Sequence, residues 1–156
     1  MKNIIRFTAV LLLCAVMLLP SGCGSEFGNL SFGLSEFGET LIGAGLFSEE
    51  MLTFETDAAV KTYALEGADE AMAWAGSGAF AEEIVVVKGN PEGNLRKLQD
   101  HLAAQKVTYN EYKVEEMPKL KSAVLKTAGE YAVYVVSNDN AKADELVSDF
   151  LRSHAK

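Results

Sequence analysis

Side chains suited to chemistry are few in this chain of 156 residues: two Cys, two His and a scatter of paired carboxylates. Ser77 stands between Gly76 and Gly78. A nucleophile elbow needs glycine two residues before the serine and a helix after it. Here Ala75 precedes, and a β-branched run follows, so an ordinary turn accounts for Ser77. His101 lies beside Asp100, and His154 lies near the C-terminus. Either imidazole can serve as a general base, but neither has a nucleophile or metal partner at usable spacing. The pairs Glu49-Glu50, Glu82-Glu83 and Glu115-Glu116 invite a metal or acid–base reading. Neighbouring side chains on a strand point to opposite faces, so Glu82 and Glu83 are not expected to share an ion. Asn138-Asp139-Asn140 is oxygen-rich but lacks the glycine and closing Glu of a calcium loop. A lysine-bearing phosphate loop and a dinucleotide fingerprint are both missing. The expectation is therefore no catalytic set, no metal and no cofactor.

One stretch does suggest recognition. Gly76-Ser77-Gly78-Ala79-Phe80-Ala81-Glu82-Glu83-Ile84 opens on small residues, which let another backbone approach closely, and Phe80 is placed to project from a turn. Gly78, Phe80, Glu82 and Glu83 are the candidate recognition edge. A flexible hairpin is the plainer reading of the same residues.

The elements that would position this edge follow from composition and periodicity. Fourteen Lys and Arg against 22 Asp and Glu give a formal charge of -8, which disfavours nucleic acid as a partner. Hydrophobic residues at 49 % are enough for a packed core in one domain.

The first residues read as an export signal. Lys2 and Arg6 form a positive start, and Phe7 to Leu19 is an uncharged apolar run of 13 residues. A spanning helix needs about 20. Ser21-Gly22-Cys23 then resembles a bacterial lipobox, with Pro20 where Leu is usual and Leu19 one position earlier. The resemblance implies a signal peptide over 1–22, cleavage before Cys23 and diacylation of its sulfur. The alternative is a plain secreted chain with a free Cys23. Cys14 would leave with the signal, so no disulfide is expected. Cleavage removes Lys2 and Arg6, taking the charge from -8 to -10 over the remaining 134 residues. The lipid, not basic residues, would hold such a polyanion at a membrane.

Residues 23–46 read as a tether with a loose amphipathic segment, since Leu30, Leu34, Phe37 and Leu41 share one helical face among several glycines. Residues 47–156 form the expected domain. Short helices are predicted after Ser48 and from Asp57 to Leu65. Ala71–Ala75 and Glu83–Lys88 form a predicted hairpin, and Pro91 opens a helix to about Ala104 with a stripe of Leu95, Leu98 and Leu102. A linker holds Tyr109, Tyr112 and Pro118. Strands over 122–126 and 131–136 and a helix from Asn138 or Asp139 to Ser153 complete the plan. An offset of 48 residues sets Val85 on Val133, Val87 on Val135, Asn90 on Asn138 and Leu98 on Leu146. Two hairpin-then-helix (ββα) units are expected, giving an α+β fold. Its four-stranded, largely antiparallel sheet would carry both long helices on one face.

Gly78-Ala79-Phe80-Ala81-Glu82-Glu83-Ile84-Val85-Val86 is followed by a charged helix over 93–106. A Tyr-containing linker over 109–120 comes next, then Gly129-Glu130-Tyr131-Ala132-Val133. This succession, with its lipoprotein-like start, resembles the DUF4358 domain family of Gram-positive bacteria over roughly residues 47–152. The resemblance implies an envelope location and this fold, and no chemistry. The function expected is a membrane-anchored, extracytoplasmic lipoprotein acting as a non-catalytic binding or accessory module, with an envelope protein as a possible partner. A solute- or peptide-binding component of a transporter, and a small hydrolase using His101 or Ser77, are the alternatives.

Overall fold

The computed structural model describes residues 29–156. The expected signal peptide and Cys23 lie outside the described residues. No helix among them is long and apolar enough to cross a membrane.

In chain order the elements are α1 (Leu34–Gly43), β1 (Leu52–Phe54), α2 (Thr56–Tyr63), β2 (Glu70–Ala75), β3 (Glu83–Lys88) and α3 (Pro91–Tyr112). A 3-10 turn (Val114–Glu116) then leads into α4 (Met117–Lys121), β4 (Val124–Ala128), β5 (Tyr131–Val136) and α5 (Asn140–Ser153). The strands form one antiparallel sheet in the order β1-β2-β3-β5-β4. The sheet thus has five strands, not the four expected. The extra one is β1, whose Leu52, Thr53 and Phe54 pair with Ala75, Trp74 and Ala73. Three residues with two exposed side chains carry too short an alternation to be read as a strand.

Both faces of the sheet are covered. One apolar layer joins Ile84, Val86, Val133 and Val135 to α1 and α5 through Phe37, Leu41, Val147 and Leu151. The other joins Val85, Val87, Ala132 and Tyr134 to α2 and α3 through Tyr63, Leu98 and Leu102. The expectation of both long helices on one face is therefore wrong: α3 and α5 lie on opposite faces. A rotation that carries β2-β3 onto β4-β5 reverses strand direction and position, and so must preserve the face. No rotation superimposes the two ββα units, and the 48-residue offset equates Val85 with a residue of the other face, Val133. The shared hairpin-then-helix plan is not a structural duplication.

Residues 30–43, expected within a tether, are part of the core. Phe37 and Leu41 are fully buried, and Leu30 bridges to Ala155. Gly38 allows this packing: a Cβ there would stand 2.3 Å from the Trp74 ring. Phe32 stacks on Tyr131 with centroids 4.1 Å apart. Two other boundaries shift. Helix α3 continues to Tyr112, absorbing part of the expected linker, and β4 begins two residues later than expected. Asp139 caps α5 by accepting from the Lys142 N–H at 2.9 Å, as its type and place suggest.

Candidate functional site

The loop from Gly76 to Ala81 joins β2 to β3 at one end of the sheet and is held by side chains from three directions. Glu49 accepts from the Ser77 N–H and hydroxyl, both at 2.8 Å. That contact needs glycine at 76, where a Cβ would fall 2.1 Å from the Glu49 carboxylate. Tyr109, from the part of α3 beyond the expected helix, donates to the carbonyls of Phe80 at 2.7 Å and Gly78 at 3.2 Å. Burial, with the charges of Glu83, Glu116, Glu49 and Glu82, raises the Tyr109 pKa, so its hydroxyl stays a donor. Lys113 donates to the Ala79 carbonyl. Gly78 turns the chain at φ +88°, in the left-handed region that favours glycine.

Phe80 does not project into solvent. It is half-buried, with the Lys113 ammonium 4.1 Å and the Lys119 ammonium 5.1 Å from its ring centroid. These are cation–π distances. Glu82 and Glu83, named for the same edge, are both buried. They enter separate networks, in keeping with the alternation expected of neighbours. The Glu82 carboxylate accepts from the N–H and hydroxyl of Ser48 and from Lys119 at 2.8 Å. Lys119 also meets Glu116 at 2.9 Å, and Glu116 accepts from the Ala81 N–H at 3.0 Å. Two carboxylates and one ammonium thus tie the segment at Ser48, the loop and α4 together. Ser48, expected to cap a helix, serves this cluster instead.

Glu83 pairs with His101 at 2.8 Å and accepts from the Gln105 amide at 3.3 Å. Beside them the hydroxyl of Tyr134 is wholly buried, close to the Glu83 carboxylate but outside hydrogen-bond geometry. Desolvation and the nearby Glu83 charge push its pKa far up. Burial and Glu83 do the same for Tyr63, whose ring meets His101 edge-on at 4.7 Å. A carboxylate that orients an imidazole is half of a general-base arrangement. Ser77, the other residue named for a hydrolase, is committed to Glu49. His154 stacks on Phe150 at 4.2 Å and lies 3.5 Å from Glu36, a helix-end contact away from both networks. No group of three or more His, Cys, Asp or Glu among the described residues is placed to hold a metal.

Beside the clamped loop, α3 leaves a groove of about 550 Å³. Its floor and walls are Gly78, Ala79, Gln105, Thr108, Tyr109, Tyr112 and Lys113. Tyr112 is 83 % exposed, and Val107 and Val114, its neighbours in the chain, are also largely exposed. Of the four residues expected to form the recognition edge, only Gly78 lines the groove. A helix expected to end near Ala104 leaves out Thr108 and Tyr112. The signal that points to them is the spacing His101, Gln105, Thr108, Tyr112, one helical stripe.

The fold and site define a single α+β domain with a five-stranded antiparallel sheet sandwiched between helices and an aromatic groove at one sheet end. The chain belongs to the DUF4358 family, a domain of unknown function, whose model matches residues 47–137. No curated protein and no solved structure matches the chain.

Proposed function

We propose that this protein is a non-catalytic binding module of the cell envelope, anchored through lipid on Cys23 and engaging its partner in the groove between α3 and the β2–β3 loop. The observation that carries the reading is the exposed Tyr112 ring in a groove it shares with a loop tied down by Tyr109, Lys113 and Glu49. Large aromatics on an ordered frame bind at low entropic cost, because few rotamers are lost. The lipobox resemblance supports the location, and the net charge of -8 supports a partner other than nucleic acid.

The test is in-cell photo-cross-linking of the full-length protein. A photoreactive side chain at position 112 is compared with one at Glu145, exposed on α5 across the sheet. A species captured from 112 and not from 145 supports the reading. The same yield from both positions, or none from 112, refutes it.

A further inference from the structure

We propose that the groove receives a neutral, hydroxyl-rich glycan; this rests on the groove being the binding site. Three features of the molecule lead there.

The first is charge. In a chain of net charge -8, the groove lining contains no carboxylate among the described residues. The cation in that lining, Lys113, donates to the Ala79 carbonyl and faces the Phe80 ring, and its remaining N–H donors can meet hydroxyl oxygens. The acidity of the chain as a whole repels a polyanion. An uncharged occupant does not meet that repulsion.

The second is the pairing of surfaces. Tyr112 offers a flat ring face, and Gln105 and Thr108 stand beside it with an amide and a hydroxyl. The Gln105 amide nitrogen is drawn to Glu83, and the Thr108 hydroxyl donates to Ala104, so the oxygens of both side chains are the acceptors they present. A sugar ring has an apolar C–H face to lie on an aromatic and hydroxyls around its rim to donate. Pockets that fix such ligands combine an apolar platform with a few placed polar groups.

The third is polarity of the domain. Near the start of the described chain, Leu30 bridges Ala155 and lies against Gly129 in the β4–β5 turn. The groove is at the other end of the strands, beside Ala75 and Glu83. The six-residue strands β3 and β5 separate the two ends by about 20 Å. The chain from Cys23 to Leu30 reaches at most about 25 Å when fully extended. A lipid on Cys23 would tie the chain to the bilayer from the entry end, with the groove at the opposite end of the strands.

The experiment uses the full-length protein in detergent. Its retention on insoluble chitin, an uncharged glycan, and its titration with soluble chitin oligosaccharides, are compared for the native chain, Tyr112→Ala and Leu52→Ala. Leu52 is 59 % exposed on the edge strand and serves as the surface control. Loss of the platform is expected to weaken binding about tenfold, with Leu52→Ala unchanged. No binding to either probe, or equal binding by Tyr112→Ala, overturns the proposal. A protein captured from position 112 without glycan binding overturns the glycan and leaves the groove as a binding site. Silence at 112 in both experiments overturns both.

Discussion

Replacing Lys119 with Met would leave two carboxylates facing each other without their shared cation. Glu82 has a fully buried side chain, and that of Glu116 is 5 % exposed. Breaking a buried pair by removing one partner costs about 3–5 kcal/mol. Lys119 keeps 17 % exposure, so the lower end applies, about 3 kcal/mol. With a urea slope of about 1.5 kcal/mol per molar, the unfolding midpoint should fall by about 2 M. Adding Glu82→Gln to Lys119→Met should restore much of the loss, since the amide oxygen still accepts from Ser48. The pH dependence has a definite sign. Burial alone would raise the Glu116 carboxyl, but the hydrogen bonds from Lys119 and Ala81 and the charges of Lys119 and Lys113 outweigh it and hold it below 4.5. Burial alone would lower Lys119, but Glu82 and Glu116 outweigh it and raise it above 10.5. The carboxylate contribution is present above its unfolded value and lost as pH falls through the lowered folded one. The lysine contribution is present below its unfolded value and lost as pH rises through the raised folded one. The gap between native and Lys119→Met should narrow above about pH 10.5, and on the acid side it should begin to narrow above pH 4.5, because the carboxylates left facing each other in the variant take up a proton before the native cluster does. A midpoint shift equivalent to under about 1 kcal/mol would refute the assignment of this cluster as the clamp.

Other outcomes follow from the same geometry. A chain trimmed to begin at residue 47, where the family match starts, should fail to fold cooperatively by circular dichroism, because it lacks Phe37 and Leu41. Phe37→Ala alone should cost about 3–5 kcal/mol in urea unfolding. Gly38→Ala should cost about 1–3 kcal/mol or more by the same assay, since its methyl would overlap the Trp74 ring. Tyr134→Phe should be neutral or slightly stabilising, as it removes a buried hydroxyl that has no partner. Cys23→Ala should move the protein from the membrane fraction to the soluble one on fractionation; retention would mean another anchor.

Much of the fold was legible because local physics and tertiary structure agree. The hairpin strands around Trp74 and Val85, the Pro91 helix start, the span of β5 and the Asp139 cap all appear where residue type and period place them. The opposite placement of α3 and α5 had a signal too. Ile84–Val87 and Tyr131–Val136 are unbroken apolar runs, and a strand apolar on both sides needs cover on both faces. Helix α3 outruns its expected end because Tyr109, seven residues past Leu102, carries the buried face further, while Val107 and Tyr112 stay exposed. Tyr109 anchors that last stretch through a loop 29 residues upstream.

Residue order alone was enough for the segments with strong period, the acidity and the family. Those depend on neighbours along the chain, or on composition. Tertiary packing was needed to place α1 in the core, to complete the sheet with β1 and to turn Glu82 and Glu83 into internal clamps. It was needed, too, to show that Tyr112, not Phe80, stands exposed beside the loop. Each of these turns on contacts between residues far apart in sequence, such as Gly38 with Trp74, Ser48 with Glu82 and Tyr109 with Phe80. Burial of a carboxylate or exposure of a ring is a property of what packs against it, and no local pattern encodes that.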